Sequence, residues 1–134
     1  MSDQLHLLVK YRLAEAQETL REAKLLLGCS AFRGSINRSY YAMFYALLGL
    51  LATRGLGTSK HSGVISLFDR EFVRTGVFSK ELSRSLRRAF DERQANDYGE
   101  MLEPDQALST ELLERAQVFV DEIKIQLTKV GFEL

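Results

Sequence analysis

Arg93 and Asp97 stand four residues apart in the run Arg93-Gln94-Ala95-Asn96-Asp97-Tyr98. On a helix that spacing puts them on one face. Arg93 also lies three residues beyond Phe90 and seven beyond Leu86, so the face they share is the apolar one. A guanidinium and a carboxylate directed inward are costly unless they are paired or set in a cleft. Two readings follow: a buried ion pair that locks helix packing, or a guanidinium facing a pocket and suited to gripping phosphate bidentately. Arg38-Ser39-Tyr40-Tyr41 forms a second group, with Tyr41 about one turn beyond Arg38. Arg38 either reaches solvent past tyrosine rings or joins the phenols in a cleft that stacks on a base and holds its phosphate. His61 follows a glycine loop and reads first as a capping or surface residue. Its titration near neutrality also suits a mobile general acid/base.

Other chemistries find no residues to carry them. There is no CxxC pair and no HExxH, and His6 and His61 are far apart in sequence, so neither a metal site nor a cofactor is expected. Gly55-Leu56-Gly57 lacks the glycine and lysine that complete a phosphate loop. Cys29, the single cysteine, sits beside a glycine with no histidine near it in sequence, and reads as a helix-end packing residue.

The elements that must position these residues show helical periodicity nearly throughout, with one proline, Pro104. Val9, Leu13, Ala16, Leu20, Ala23 and Leu27 make one apolar stripe, with Gly28 as its C′ residue and Ser30 as the cap of the next helix. That second helix runs from about Ala31 to Arg54. Its Tyr40–Ala52 part is apolar around most of its circumference, which marks a central helix or one also covered by a second subunit. Tyr40, Phe44 and Leu48 read as core. Gly55 to Thr58 breaks the pattern; Val64, Phe68 and Phe72 mark a third segment over 60–74 that Gly76 stops. Ser79 with Leu82, Leu86, Ala89 and Phe90 marks a fourth helix, and Pro104 opens a fifth along Leu108, Leu112, Ala116, Phe119, Ile123 and Val130. The expected fold is all-α, an up-and-down bundle of four to five helices forming a single domain over residues 1–134, with its two longest helices antiparallel.

Composition sets the frame. A chain of 134 residues with 46% apolar and 27% charged side chains is globular, neither a disordered tail nor a disulfide-stapled miniprotein. The start MSDQLHLLVK lacks the basic opening and long apolar core of a signal peptide, and the 13-residue apolar block from Tyr40 is short of the roughly 20 that span a membrane. A cytoplasmic protein with no membrane partner is expected. Acids and bases balance at eighteen each, yet residues 30–93 carry eleven bases against five acids, and residues 94–134 three against nine. Either the two segments pack side by side and complement each other, or the basic middle presents a phosphate-binding surface.

Four blocks carry a resemblance: Arg38-Ser39-Tyr40-Tyr41-Ala42-Met43-Phe44, Lys60-His61-Ser62-Gly63-Val64-Ile65, Phe72-Val73-Arg74-Thr75-Gly76 and Glu92-Arg93-Gln94-Ala95-Asn96-Asp97-Tyr98. Taken together and in this order, they resemble the HEPN domain family, and most closely its small single-domain prokaryotic members. The resemblance implies a helical, commonly dimeric domain that binds nucleotides or RNA. It also implies, in many members, ribonuclease activity, and in prokaryotes a toxin encoded beside a minimal nucleotidyltransferase as antitoxin. The nuclease branch uses an arginine followed after four to six residues by a histidine. Arg93 falls on that arginine, but Gln94 to Leu102 holds no histidine and Tyr98 or a neighbour stands in its place. A tyrosine with a pKa near 10 is a poor base at neutral pH. His61 would substitute only if the fold brings it beside Arg93.

The resulting expectation is a homodimeric binding module. Arg38 and Arg93 contact the phosphate of RNA or a nucleotide, Tyr41 and Tyr98 stack or hydrogen-bond, and Asp97 orients Arg93. A nucleotidyltransferase is the protein partner. The alternatives are a metal-independent endoribonuclease working through Arg93, Asp97, Tyr98 and His61, and a structural or adaptor helical dimer whose Arg93–Asp97 pair only fixes packing.

Overall fold

The computed structural model describes residues 2–58, 60–98 and 103–134, with the side chain of Tyr98 outside that set. Five α-helices follow one another: α1 Asp3–Gly28, α2 Phe32–Ala52, α3 His61–Phe68, α4 Lys80–Tyr98 and α5 Gln106–Lys129, with a single π-helical turn, Asp69–Val73, continuing α3. Among the described residues there is no strand. The bundle alternates in direction. The start of α2 meets the end of α1 where Ser35 Oγ donates to the Ala23 carbonyl at 2.9 Å. Towards the other end of α2, a Cβ on Gly49 would lie 3.1 Å from Arg12 Cβ, so the missing side chain lets the two helices close together. Helix α4 runs against α2 and α5 against α4. Residue 93 is opposite residue 41, and residue 97 opposite residue 37; residue 88 faces residue 111, and residue 85 faces residue 115.

Helix α2 packs against each of the other four helices, which is why its apolar residues encircle it. Tyr40, Met43, Leu47 and Leu51 are all fully buried. The stripes of α1 and α5 meet it as their spacing predicts, with Val9, Ala16, Ala23, Ala116, Phe119 and Ile123 at zero exposure. Val130 departs from the pattern: it lies just past the end of α5 and is half-exposed.

The junction of α1 and α2 also departs from expectation. Gly28 is the last helical residue, and the left-handed position falls on Ser30 at φ 62°. The Ser30 and Ala31 amides donate to the Leu27 and Leu26 carbonyls at 3.1 and 2.8 Å. These two bonds close a Schellman motif two residues later than Gly28 would have allowed. Ser30 thus serves to stop α1, and α2 starts from Ala31 with no side-chain cap. Ser79, by contrast, caps α4 as expected by accepting from the Leu82 amide at 3.2 Å. The last helix begins two residues after Pro104, with Asp105 accepting from the Leu108 amide at 2.8 Å.

The π turn fixes α3 against α4. Its closing bond runs from the Arg74 amide to the Asp69 carbonyl at 2.9 Å, and the bulge keeps Phe68 and Phe72 both in the core. Asp69 then accepts hydrogen bonds from Ser83 and Arg87 of α4. Two elements distant in sequence are thereby held in register, and α3 presents its first residue, His61, to the face of α2 that also meets Arg93.

Candidate functional site

Helices α2 and α4 cross antiparallel, so the (i, i+4) pair on one helix matches an (i, i−4) pair on the other. The Arg93 guanidinium donates through Nη2 to the Tyr41 hydroxyl at 2.7 Å, and its Nε faces Asp97 Oδ2 at 3.1 Å. One turn earlier on α2, Asn37 Nδ2 donates to the same Asp97 oxygen at 3.0 Å. Asn37 Oδ1 then accepts from Arg38 Nε at 3.1 Å and Nη2 at 2.8 Å. The Arg38 guanidinium lies 5.0 Å above the Tyr41 ring, and Glu22 of α1 stands 3.7 Å from its Nη1. Arg93 itself rests against the rings of Tyr40 and Tyr41 at 5.4 and 5.1 Å.

Burial separates the two arginines. Arg93 is only 8% exposed, covered by phenols and held by a carboxylate. The sequence left open whether it forms a buried pair with Asp97; the ion pair is present, with Arg93 buried and Asp97 partly in solvent. Arg38 keeps 30% of its side chain in solvent and is the accessible cation of the cluster. Tyr41 joins them. Its oxygen accepts from Arg93, which leaves the O–H free to donate.

The fold does bring His61 to this group. Its Nδ1 lies 2.8 Å from the Tyr40 hydroxyl. Its ring stacks on Phe44 at 4.1 Å and 7°, and meets the edge of Tyr41 at 5.7 Å. The residue is therefore neither a helix cap nor a mobile surface group: Lys60 takes the capping position, and three rings hold the imidazole. Burial lowers the His61 pKa below the ordinary histidine value, and the positive charge of Arg93 lowers it further. Burial raises the Tyr40 pKa; the Arg93 charge opposes that rise in part, and the neighbouring Tyr41 adds a smaller upward push. At neutral pH the pair is thus a neutral imidazole beside a protonated phenol. When Nδ1 carries the proton and donates to Tyr40, the Nε2 lone pair is left to accept one.

Tyr40 and Phe44 read as core from sequence, yet the Tyr40 hydroxyl orients His61 and the Phe44 face supports it. Asn37 joins the cluster without a motif of its own; its position four residues before Tyr41 is the one sequence signal it carries. Tyr98 ends α4, but its side chain lies outside the described residues, as does the stretch 99–102 after it. Arg38, Tyr41, Arg93, Asp97 and His61 are brought together.

The profile of the HEPN domain matches residues 9–126. This chain belongs to the HEPN domain family. A UPF0332 protein of Thermotoga maritima is 41% identical over 117 residues, which cover 87% of this chain and 89% of that one. The Methanocaldococcus jannaschii protein named "Putative toxin MJ0605" is 32% identical over 115 residues, covering 86% and 85% of the two chains. TT1696 from Thermus thermophilus, known from its crystal structure, superposes with a TM-score of 0.76. It covers 89% of this chain and 98% of that one at 20% identity, a likeness of fold. Within this HEPN chain no described helix is long and apolar enough to cross a membrane.

Proposed function

We propose that residues 1–134 act as one HEPN domain that binds RNA or a nucleotide at the Arg38–Tyr41–Arg93 cluster, as the toxin-like half of a pair with a minimal nucleotidyltransferase. The observation that carries this reading is the stacking of two guanidinium groups on one phenol. Arg38 meets the phosphate from the rim. Arg93 acts from behind, because its hydrogen bond to Tyr41 strengthens the donor that Tyr41 turns towards the anion. Asp97 and Asn37 hold both cations in place before the ligand arrives, which reduces the ordering that binding would otherwise cost. The relatives named as toxins support the toxin-like role. A homodimer would set two such clusters across one two-fold axis.

Fluorescence anisotropy with a labelled single-stranded RNA tests the site. Arg38→Ala and Tyr41→Phe remove an accessible cation and one hydroxyl from partly exposed positions, so both variants keep the helical circular-dichroism spectrum. Each should weaken binding about fivefold to tenfold. Affinity unchanged in both folded variants overturns the reading.

The position of His61 favours a second reading, a metal-independent endoribonuclease. A neutral, oriented imidazole beside a fixed guanidinium has the parts needed to take the 2′-hydroxyl proton and to stabilise the phosphorane charge. Its adversary is the missing histidine after Arg93. Cleavage of RNA in the presence of chelator, abolished in His61→Ala, establishes this reading; no cleavage by the wild-type protein leaves the binding module.

A further inference from the structure

A recess of about 180 Å³ lies between α3 and α4, lined by Ser62, Ile65, Ser66, Arg87, Phe90 and Asp91. Ile65 and Phe90 are apolar and the other four residues are polar, the composition of a seat for a flat ring with hydrogen-bonding edges. Drug-sized pockets run from roughly 300 to 1,000 Å³, so this one suits a single base and not a whole nucleotide. The recess adjoins the site already described. Ser62 follows His61 in the chain, and the Phe90 ring meets Tyr40 edge-on at 5.7 Å. From there Tyr40 reaches His61, His61 meets Tyr41, and Tyr41 lies under Arg38. An unbroken row of rings thus leads from the recess to the exposed cation.

We propose that this recess reads a guanine base flanking the phosphate bound at Arg38 and Tyr41; the proposal rests on the nucleic-acid reading of that cluster. Asp91 is an exposed carboxylate, an acceptor with no donor of its own. Arg87 stands one turn before it on α4 and is held by its ion pair with Asp69, while 56% of its side chain stays in solvent. The Watson–Crick edge of guanine places two adjacent donors, N1–H and the N2 amino group, beside the O6 acceptor. That order matches Asp91 followed by Arg87. Adenine and cytosine offer the carboxylate one amino group each. Uracil offers a single N–H between two carbonyl oxygens, which a carboxylate repels. Ser62 and Ser66 complete the polar lining of the recess, with the Ser66 hydroxyl donating to the Ser62 carbonyl at 3.1 Å.

The experiment uses the full chain and three fluorescein-labelled RNA hexamers: all-uridine, the same with one central guanosine, and the same with inosine there. The guanosine hexamer should bind about tenfold more tightly than all-uridine, with inosine, which lacks the N2 amino group, in between. Asp91→Asn should bring the three within about twofold of one another, with the all-uridine affinity no lower than that of the wild-type protein. Equal binding of all three by the wild-type protein, or a preference that survives Asp91→Asn, overturns the base-reading recess. The reading of the Arg38–Tyr41–Arg93 cluster then still stands if Arg38→Ala weakens every hexamer. If no hexamer binds at any protein concentration, both fall together.

Discussion

Helix α4 meets its two long neighbours through arginines, and the two contacts are built differently. Towards α5, Arg88 and Arg115 both reach Glu111, at 2.9 and 3.3 Å, and Arg115 donates to Ser85 at 3.1 Å. Arg88 and Glu111 keep 40% and 39% of their side chains in solvent. Here the basic middle of the sequence lies against its acidic end, and opposite charges complement each other in water. Towards α2, Arg93 lies under two tyrosine rings with a tenth of its side chain exposed. Its surroundings are phenols, an amide, a carboxylate and an imidazole. An exposed ion pair contributes up to about 1 kcal/mol. A cation kept among rings carries a desolvation cost, and it gathers phenol hydroxyls and an imidazole around it. The first contact joins helices; the second, in the proposed function, also serves a ligand.

Breaking each contact separately gives the largest expected effect. Arg93→Ala removes a charged hydrogen bond to Tyr41 and leaves Asp97 facing only Asn37. Asp97 keeps some solvent, so the loss should be about 2–3 kcal/mol in urea denaturation. Arg88→Ala should cost less than about 1 kcal/mol by the same measurement. Equal losses would erase the distinction between the two contacts.

His61 sharpens the comparison through pH. Its folded pKa is depressed by burial and by Arg93, so it stays neutral as pH falls past the ordinary histidine value of about 6.5. The stability it contributes is present above the unfolded pKa and is lost as pH falls through the lower folded one. An NMR titration of the imidazole carbons should place its midpoint below the ordinary histidine value of about 6.5. Arg93→Lys keeps the charge and should keep His61 low, whereas Arg93→Gln should raise it. In the endoribonuclease reading, activity falls on the acid side with this same midpoint.

The smallest effect concerns the junction that serves neither contact. Ser30 holds a left-handed φ, a conformation that costs a non-glycine residue about 1 kcal/mol. Ser30→Gly should raise the thermal midpoint by a few degrees, read by calorimetry, with no change in RNA binding.

Most of the fold was legible because burial on one face imposes a period that chain order preserves. The stripes of α1 and α5 needed only spacing, and the ring of apolar residues on α2 announced its central place. The cap at Ser30 was misread because helix termination depends on which carbonyls remain unpaired, and a glycine nearby is only a correlate of that. Arg93, Asp97, Arg38 and Tyr41 were legible as polar residues on apolar faces. What sequence did not show was their meeting, since the antiparallel register of α2 on α4 is set by packing along both helices. His61 depended on more: the π turn and Asp69 must first anchor α3 before its leading residue can reach Tyr40. Tyr40 itself was hidden by its ring, which packs as core while its hydroxyl orients the imidazole.

The salt dependence of RNA binding tests most directly whether the α2–α4 contact serves a phosphate. A log–log plot of affinity against salt for the wild-type protein, Arg38→Ala and Arg88→Ala reports how many phosphates each protein neutralises. The slope should shrink by about 1 in Arg38→Ala and stay at the wild-type value in Arg88→Ala. Identical slopes for all three proteins, or a change confined to Arg88→Ala, would contradict the account.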